Sequence, residues 1–279
     1  MTDHTAIPVA AVLGDPVAHS RSPALHGHWL ARHGVAGHYI PLRVTQGGLP
    51  AALGCLARLG FAGANVTIPH KEAALALANT ASDRARRIGA ANLLTFGPGG
   101  ATHADNTDGA GFLAGLQAAV PEWRPRAGPA LVLGAGGAAR AIVDALAAAG
   151  VAEIRIANRT RARAVALACA AGPVAKVVDW DAASPSIGAA ALLVNTTSLG
   201  MTGQPPLTLD LARLDPATVV ADIVYSPLET DLLRAARQRG CRTVDGLAML
   251  LHQAVPAFEA FFGPRPSVDE ALRRAILAV

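Results

Sequence analysis

The sequence predicts an α/β protein in which strands alternate with helices, and three observations carry that prediction. Short apolar runs that read as strands recur at Val9–Gly14, 61–68, Ala130–Leu133, Leu192–Asn195 and 219–224, with helix-prone stretches between them. A glycine-rich turn over 134–139 sits between one of these strands and an alanine-rich helix. The 279 residues are 52% apolar and only 16% charged, enough hydrophobic material for one or two packed cores and too much for disorder.

Charge and cysteine usage narrow the function classes. The formal charge of +4 is modest, and the arginines are scattered without interleaved aromatics. No nucleic-acid partner is expected, whereas a small anionic substrate or cofactor suits this balance. Cys55, Cys169 and Cys241 are odd in number, far apart and without metal-ligand spacing. The expectation is therefore no metal, and reduced, buried thiols in a cytoplasmic protein. No secretory pattern and no uninterrupted apolar run of membrane-spanning length is read, so no membrane partner is expected.

In the first hundred residues, Val9–Gly14 reads as a strand ending in a glycine turn. Ser20 and Ser22 follow, before a helix over 24–32. Ser22 ahead of Pro23 suits an N-cap, and two hydroxyls at a helix start equally suit a carboxylate ligand. Strands over 38–44 and 61–68 flank a helix over 49–59, pointing to a mostly parallel layer. The third strand stops at Pro69, which cannot continue a ladder, and a helix over 72–78 begins at once. Lys71 lies at that corner, where α/β sheets present side chains to ligands. It is one of two lysines among 24 basic side chains, and a lysine can trade protons near neutral pH when partly desolvated. A solvated lysine at a helix start reads equally well. A helix over 81–88 and a strand over 89–94 follow; Asn92 in that strand needs a turn or a ligand as partner. The polar run 103–109 reads as a turn with Asx-type capping, and its Asp108 offers Lys71 an acid/base counterpart.

The middle of the chain carries the most specific local signal. Gly134, Ala135, Gly136, Gly137, Ala138 and Ala139 form a G-x-G-x-x-A pattern between strand and helix, the context that makes it a dinucleotide fingerprint. Gly134 permits the tight turn, Gly136 lets the backbone approach a pyrophosphate, and Ala139 keeps the third position small. An NAD site would place Asp or Glu after the next strand, 153–157; this chain has Asn158, Arg159, Thr160, Arg161 and Arg163 instead. Guanidinium groups suit a 2′-phosphate, so NADP is the expected cofactor. Strands at 219–224 and 241–244 and a helix over 229–239 precede two closing helices. The first of these carries Gln253 as a polar exception on an apolar face.

Taken together, these motifs resemble the shikimate dehydrogenase family. The resemblance is carried by residues 19–23, 65–71, 106–109, 134–139, 158–160, 222–225 and 245–253, in the family's order along essentially the whole chain. It implies an N-terminal α/β substrate domain (1–109), a Rossmann-type dinucleotide-binding domain (110–246) and C-terminal helices (247–279) packing back on the first domain. It further implies reversible NADPH-dependent reduction of 3-dehydroshikimate to shikimate, by a monomer or homodimer. Lys71 and Asp108 match the catalytic pair, and Ser20 and Ser22 the substrate carboxylate clamp. Thr67, Asn92, Tyr225 and Gln253 match the other ring contacts. Arg159 and Arg163 match the 2′-phosphate clamp, Ile223 and Gly246 the nicotinamide end, and Asp83 a cofactor-linked position. Ala91 departs from the larger residue usual before the asparagine, which implies altered packing there. Competing readings are a quinate/shikimate dehydrogenase with relaxed substrate or cofactor use, a silent NADP-binding protein, and a folate-linked dehydrogenase. The presence of Lys71 and Asp108 opposes the second, and the serine clamp opposes the third.

Overall fold

Around the apolar strand β1 (Val9–Gly14) the chain winds α1 (Ser22–His33), β2 (His38–Arg43), α2 (Leu49–Arg58) and β3 (Gly63–Val66). Next come α3 (Lys71–Leu77), the short β4 (Thr80–Ala81), α4 (Asp83–Ile88), β5 (Leu93–Phe96) and β6 (Thr102–Asp105). This computed structural model describes residues 7–279. The strands pair in the order β2-β1-β3-β5-β6-β4. The sheet is mostly parallel, as expected, with β5 alone running antiparallel to its neighbours β3 and β6. Residues 103–105, expected in a turn, belong to β6, with Thr102 and Ala104 buried and His103 exposed. A core of Leu13, Leu49, Leu53, Leu56, Val66 and Leu94 fills one face of the sheet.

A second run of elements begins at α5 (Asp108–Ala119) and continues through β7 (Ala130–Leu133), α6 (Gly137–Ala148), β8 (Ile154–Ala157) and α7 (Arg161–Ala171). It proceeds through β9 (Ala175–Val178), α8 (Ala183–Ser186), β10 (Leu192–Asn195), β11 (Val219–Asp222), α9 (Asp231–Gln238) and β12 (Arg242–Val244). Every pairing in this second sheet is parallel, in the order β12-β11-β10-β7-β8-β9. That is the doubly wound Rossmann arrangement. Near-continuous apolar strands such as Ala130–Leu133 suit it, since helices cover both faces. The chain closes with α10 (Gly246–Phe262) and α11 (Glu270–Leu277).

The chain divides into two units, one holding the segment up to Thr107 with Gln253–Val279, the other Asp108–His252. Within the first unit the C-terminal helices pack on α1. Trp29 Nε1 donates to Ser267 O at 3.2 Å, and Arg32 pairs with Asp269. Phe258, Phe261 and Phe262 of α10 surround His26, whose ring stacks on Tyr39 at 3.9 Å.

Two local expectations fail. Ser22 is the first residue of α1 and not its cap; Arg21 holds the cap position without a side-chain bond, and Ser22 N instead donates to Ser20 Oγ at 3.3 Å. Among the cysteines only Cys241 is buried, because Cys55 and Cys169 fall on the outer faces of α2 and α7. No described helix is long and apolar enough to cross a membrane.

Candidate active site

Strand direction in the first sheet gathers polar residues at one edge. β1 and β3 run parallel and end at Gly14 and Val66, while β6, antiparallel to β5, ends at Asp105 opposite Leu93. Thr67 and Lys71 after β3, Asn92 before β5 and Thr107 after β6 therefore leave the sheet on the same side. The segment bearing Ser20 and Ser22 also leaves β1 there. Asn92, 3% exposed, is held from both sides: its Oδ1 accepts from Thr107 N at 2.8 Å, and its Nδ2 donates to Thr107 Oγ1 at 3.0 Å and Gln253 Oε1 at 3.2 Å. The asparagine thus finds its required partners within the protein, and Gln253 joins it from α10.

Lys71 opens α3 half-buried, and its carbonyl accepts from Ala91 N at 2.8 Å, next to Asn92. The preceding His70 is buried with Nε2 at 2.6 Å from Val44 O. A carbonyl only accepts, so Nε2 carries the proton, and the ring ties the Lys71 corner to the end of β2. Ser22 meets Tyr39, whose hydroxyl donates to Asn65 Oδ1 at 2.8 Å. Burial drives the Tyr39 phenol above its ordinary range, and the hydrogen bond with Ser22 draws it part of the way back. Asn65 Nδ2 in turn reaches Asn92 O at 3.0 Å. Tyr39 and Thr107 were not singled out from the sequence; a tyrosine and a threonine beside buried polar residues carry no spacing signature.

Of the remaining predicted residues, Asp83 is exposed on α4 and pairs with Arg86 at 3.0 Å. Asp108 and Tyr225 belong to the second unit. Asp108 is 4% exposed at the start of α5, where the positive end of the helix dipole favours a carboxylate. Tyr225 lies half-buried after β11.

In the second sheet the strand order reverses between β7 and β10, the place where open α/β sheets receive ligands at the carboxyl edge. Gly134 has φ +114°, and a Cβ there would stand 2.4 Å from Thr196 Oγ1, so the turn requires glycine. Gly136 caps the 12-residue α6 without a side-chain bond, and a Cβ on it would meet nothing within 4 Å. Nothing stands over Gly136, so the start of α6, whose first amides lack intrahelical partners, is open to an anion. Ala135 and Ala139 pack inward. After β8, Asn158 Nδ2 donates to Thr160 O at 2.9 Å, shaping the turn that exposes Arg159 and Arg163. Arg161 pairs with Asp179, whereas Arg159 and Arg163 make no ion pair among the described residues. The open amides and two available guanidinium groups fit a dinucleotide bearing a 2′-phosphate.

Beyond β11, Ile223 approaches Gly246 so closely that a Cβ on Gly246 would lie 2.2 Å from Ile223 O. Asp222, just before, is 2% exposed and was not assigned a role from sequence. Burial pushes its carboxyl up to about 6, against hydrogen bonds from Val224 N, Thr230 and Asn195 that favour the charged form.

Comparison with known proteins agrees with both halves of this geometry. Residues 12–94 match the shikimate dehydrogenase substrate binding domain, and residues 124–200 match shikimate / quinate 5-dehydrogenase. Shikimate dehydrogenase (NADP(+)) of Cereibacter sphaeroides (strain ATCC 17025 / ATH 2.4.3) is 57% identical over 278 residues, 100% of each chain. Quinate dehydrogenase from Corynebacterium glutamicum in complex with NAD superposes with a TM-score of 0.90 at 34% identity, over 98% of this chain and 99% of that one. Shikimate 5-dehydrogenase from Thermus thermophilus, in complex with NADP(H) and shikimate, gives 0.85 at 40% identity, over 96% and 100%. With a relative this similar along its whole length, the chain belongs to the shikimate dehydrogenase family.

Proposed function

We propose that the protein catalyses the reversible, NADPH-dependent reduction of 3-dehydroshikimate to shikimate, on the route to chorismate and the aromatic amino acids. The observation that carries this reading is the polar edge of the first sheet, where Lys71 stands beside the Asn92–Thr107–Gln253 cluster. Ser20 and Ser22 hold the substrate carboxylate by hydroxyl donation. Thr67, Asn92, Tyr225 and Gln253 orient the ring hydroxyls. Asp108 accepts from the hydroxyl beside the reacting carbon and fixes its orientation. NADPH, when bound, supplies the hydride. As the carbonyl oxygen gains charge, the Lys71 ammonium stabilises it and delivers the proton; in the reverse direction the amine takes the proton back. Fixing both reactants converts an encounter into an effectively intramolecular step.

The backbone of Gly134, Ala135, Gly136, Gly137 and Ala138 receives the pyrophosphate. Asn158, Arg159, Thr160 and Arg163 hold the 2′-phosphate end. Ile223 and Gly246 border the nicotinamide, and Asp83 contributes a cofactor-linked carboxylate from α4. Three free cysteines suit action in the reducing cytoplasm, as a monomer or homodimer. The test is loss of NADPH absorbance on adding 3-dehydroshikimate, with shikimate identified as product. NADPH binding without turnover would instead make this a silent binding protein.

A further inference from the structure

Asp222 ends β11 almost fully buried, and among the described residues its partners are all neutral. A lone buried carboxylate is costly, so what its oxygens accept from is informative. Val224 N and Asn195 Nδ2 both donate to Oδ1 at 3.0 Å, and Thr230 Oγ1 donates to Oδ2 at 2.8 Å. Asn195 ends β10, whereas Val224 and Thr230 both lie in the connection from β11 to α9.

These contacts continue outward. Asn195 Oδ1 accepts from Thr197 N at 3.0 Å and Thr197 Oγ1 at 2.7 Å, and Thr197 Oγ1 accepts from Leu199 N at 3.1 Å. On the other side, Val224 O accepts from Gly246 N at 3.2 Å, where Ile223 meets the first turn of α10. One carboxylate thus joins the turn after β10, the segment after β11 and the start of α10. An asparagine could keep its oxygen on Val224 N and Asn195 Nδ2 and turn its NH2 to the Thr230 hydroxyl, which also accepts. The substitution that breaks the junction is therefore Asp222→Ala, which strips both N–H donors of their acceptor.

We propose that Asp222 is a positioning residue for hydride transfer, holding Ile223 and Gly246 as one surface against the nicotinamide. This rests on the placement of the nicotinamide end at Ile223 and Gly246 in the proposed function. Thr230 also caps α9, accepting from Leu233 N at 3.3 Å, so its contact ties Asp222 to that helix and not to the turn after β10 or the start of α10.

The experiment compares Asp222→Ala with Thr230→Val, with Asn195→Ser as a second probe from the other side of the network. NADPH binding is read by nicotinamide fluorescence, KM and kcat by steady-state rates, and the isotope effect with 4-deuterated NADPH, all well below each variant's Tm. Asp222→Ala and Asn195→Ser are expected to weaken NADPH binding or slow kcat about tenfold. The isotope effect should rise while KM for shikimate stays within about twofold. Thr230→Val should lower Tm and leave the cofactor constants unchanged. Equal losses of Tm in all three variants, with NADPH constants and isotope effect unmoved, would overturn the role. Should the unsubstituted protein bind NADPH yet turn over nothing, the reaction itself is misread, and the fluorescence titrations alone still decide whether Asp222 shapes the cofactor surface. If Asp222→Ala does not fold, Asn195→Ser carries the same decision.

Discussion

Lys71 and His26 place opposite demands on their surroundings, and each yields a prediction. Lys71 is one of two lysines in the chain and stands half-buried at a helix start, where an ammonium can act and recharge. Lys71→Ala should lower kcat by about 10²–10⁴-fold, with NADPH affinity little changed. Lys71→Arg should not rescue it, because a guanidinium does not release its proton at working pH. Equal loss of NADPH binding in Lys71→Ala would remove Lys71 from the proton-transfer role. His26 is fully buried among aromatic rings, and desolvation lowers its pKa from 6.5 to about 3. The unfolded chain therefore binds a proton that the folded one refuses, so stability is full above 6.5 and falls as pH drops through that window. By pH 5 the loss from this residue is ~2 kcal/mol. Asp222, raised from 3.8 to about 6, acts with the opposite sign, adding stability as pH falls through 6. The His26 window is wider, so acid destabilises on balance. His26→Phe should remove the acid loss and leave stability rising slightly between pH 7 and 5 through Asp222, measured by denaturant midpoints; an unchanged slope would place the acid sensitivity elsewhere.

At the level of elements, legibility follows the strength of the apolar signal. Val9–Gly14, Ala130–Leu133 and Leu192–Asn195 are readable to the residue because every position or nearly every one is buried and apolar. The third strand reads as 61–68 in the sequence and spans only Gly63–Val66. β6 is hidden because its inward positions, Thr102 and Ala104, are weakly hydrophobic, so period-two alternation barely registers. A signal does exist: the Pro98-Gly99-Gly100 run between β5 and β6 is hairpin chemistry, and it would have made that pair antiparallel. The Ser22 reading fails because Ser20 supplies the bond to its amide, a choice that cap preferences alone do not make. Around β6 the polar residues form their own support. Ser82 accepts from Ala85 N at 3.0 Å as the cap of α4 and donates to Asp105 Oδ1 at 2.5 Å. Burial alone would raise the Asp105 pKa; bonds from Ser82, Arg84 and Asn106 N outweigh it and hold the carboxyl below its usual range. Ser82→Ala should therefore cost about 1–2 kcal/mol in chemical denaturation. A change within a few tenths would mean that Arg84 alone holds this corner.

For the whole molecule, the family and the cofactor class are readable because glycine turns and charged loops are sequence-local, whereas the polar cluster around Asn92 draws on segments as distant as Gln253. The Asp222 network likewise joins strand ends that only the fold brings side by side. Cofactor choice is the property in which charge acts on the entire enzyme. Removing the guanidinium groups in Arg159→Ala/Arg163→Ala should raise KM for NADPH by about 10–100-fold, leave NADH use nearly unchanged, and weaken the salt dependence of NADPH binding. The most direct measurement is a matrix of initial rates: NADPH against NADH with 3-dehydroshikimate, and NADP against NAD with shikimate beside quinate. Turnover that is NADPH-selective and confined to the shikimate pair is the expected result. NAD-linked oxidation of quinate at comparable kcat/KM would contradict it, and would mean that the exposed arginines do not choose the cofactor.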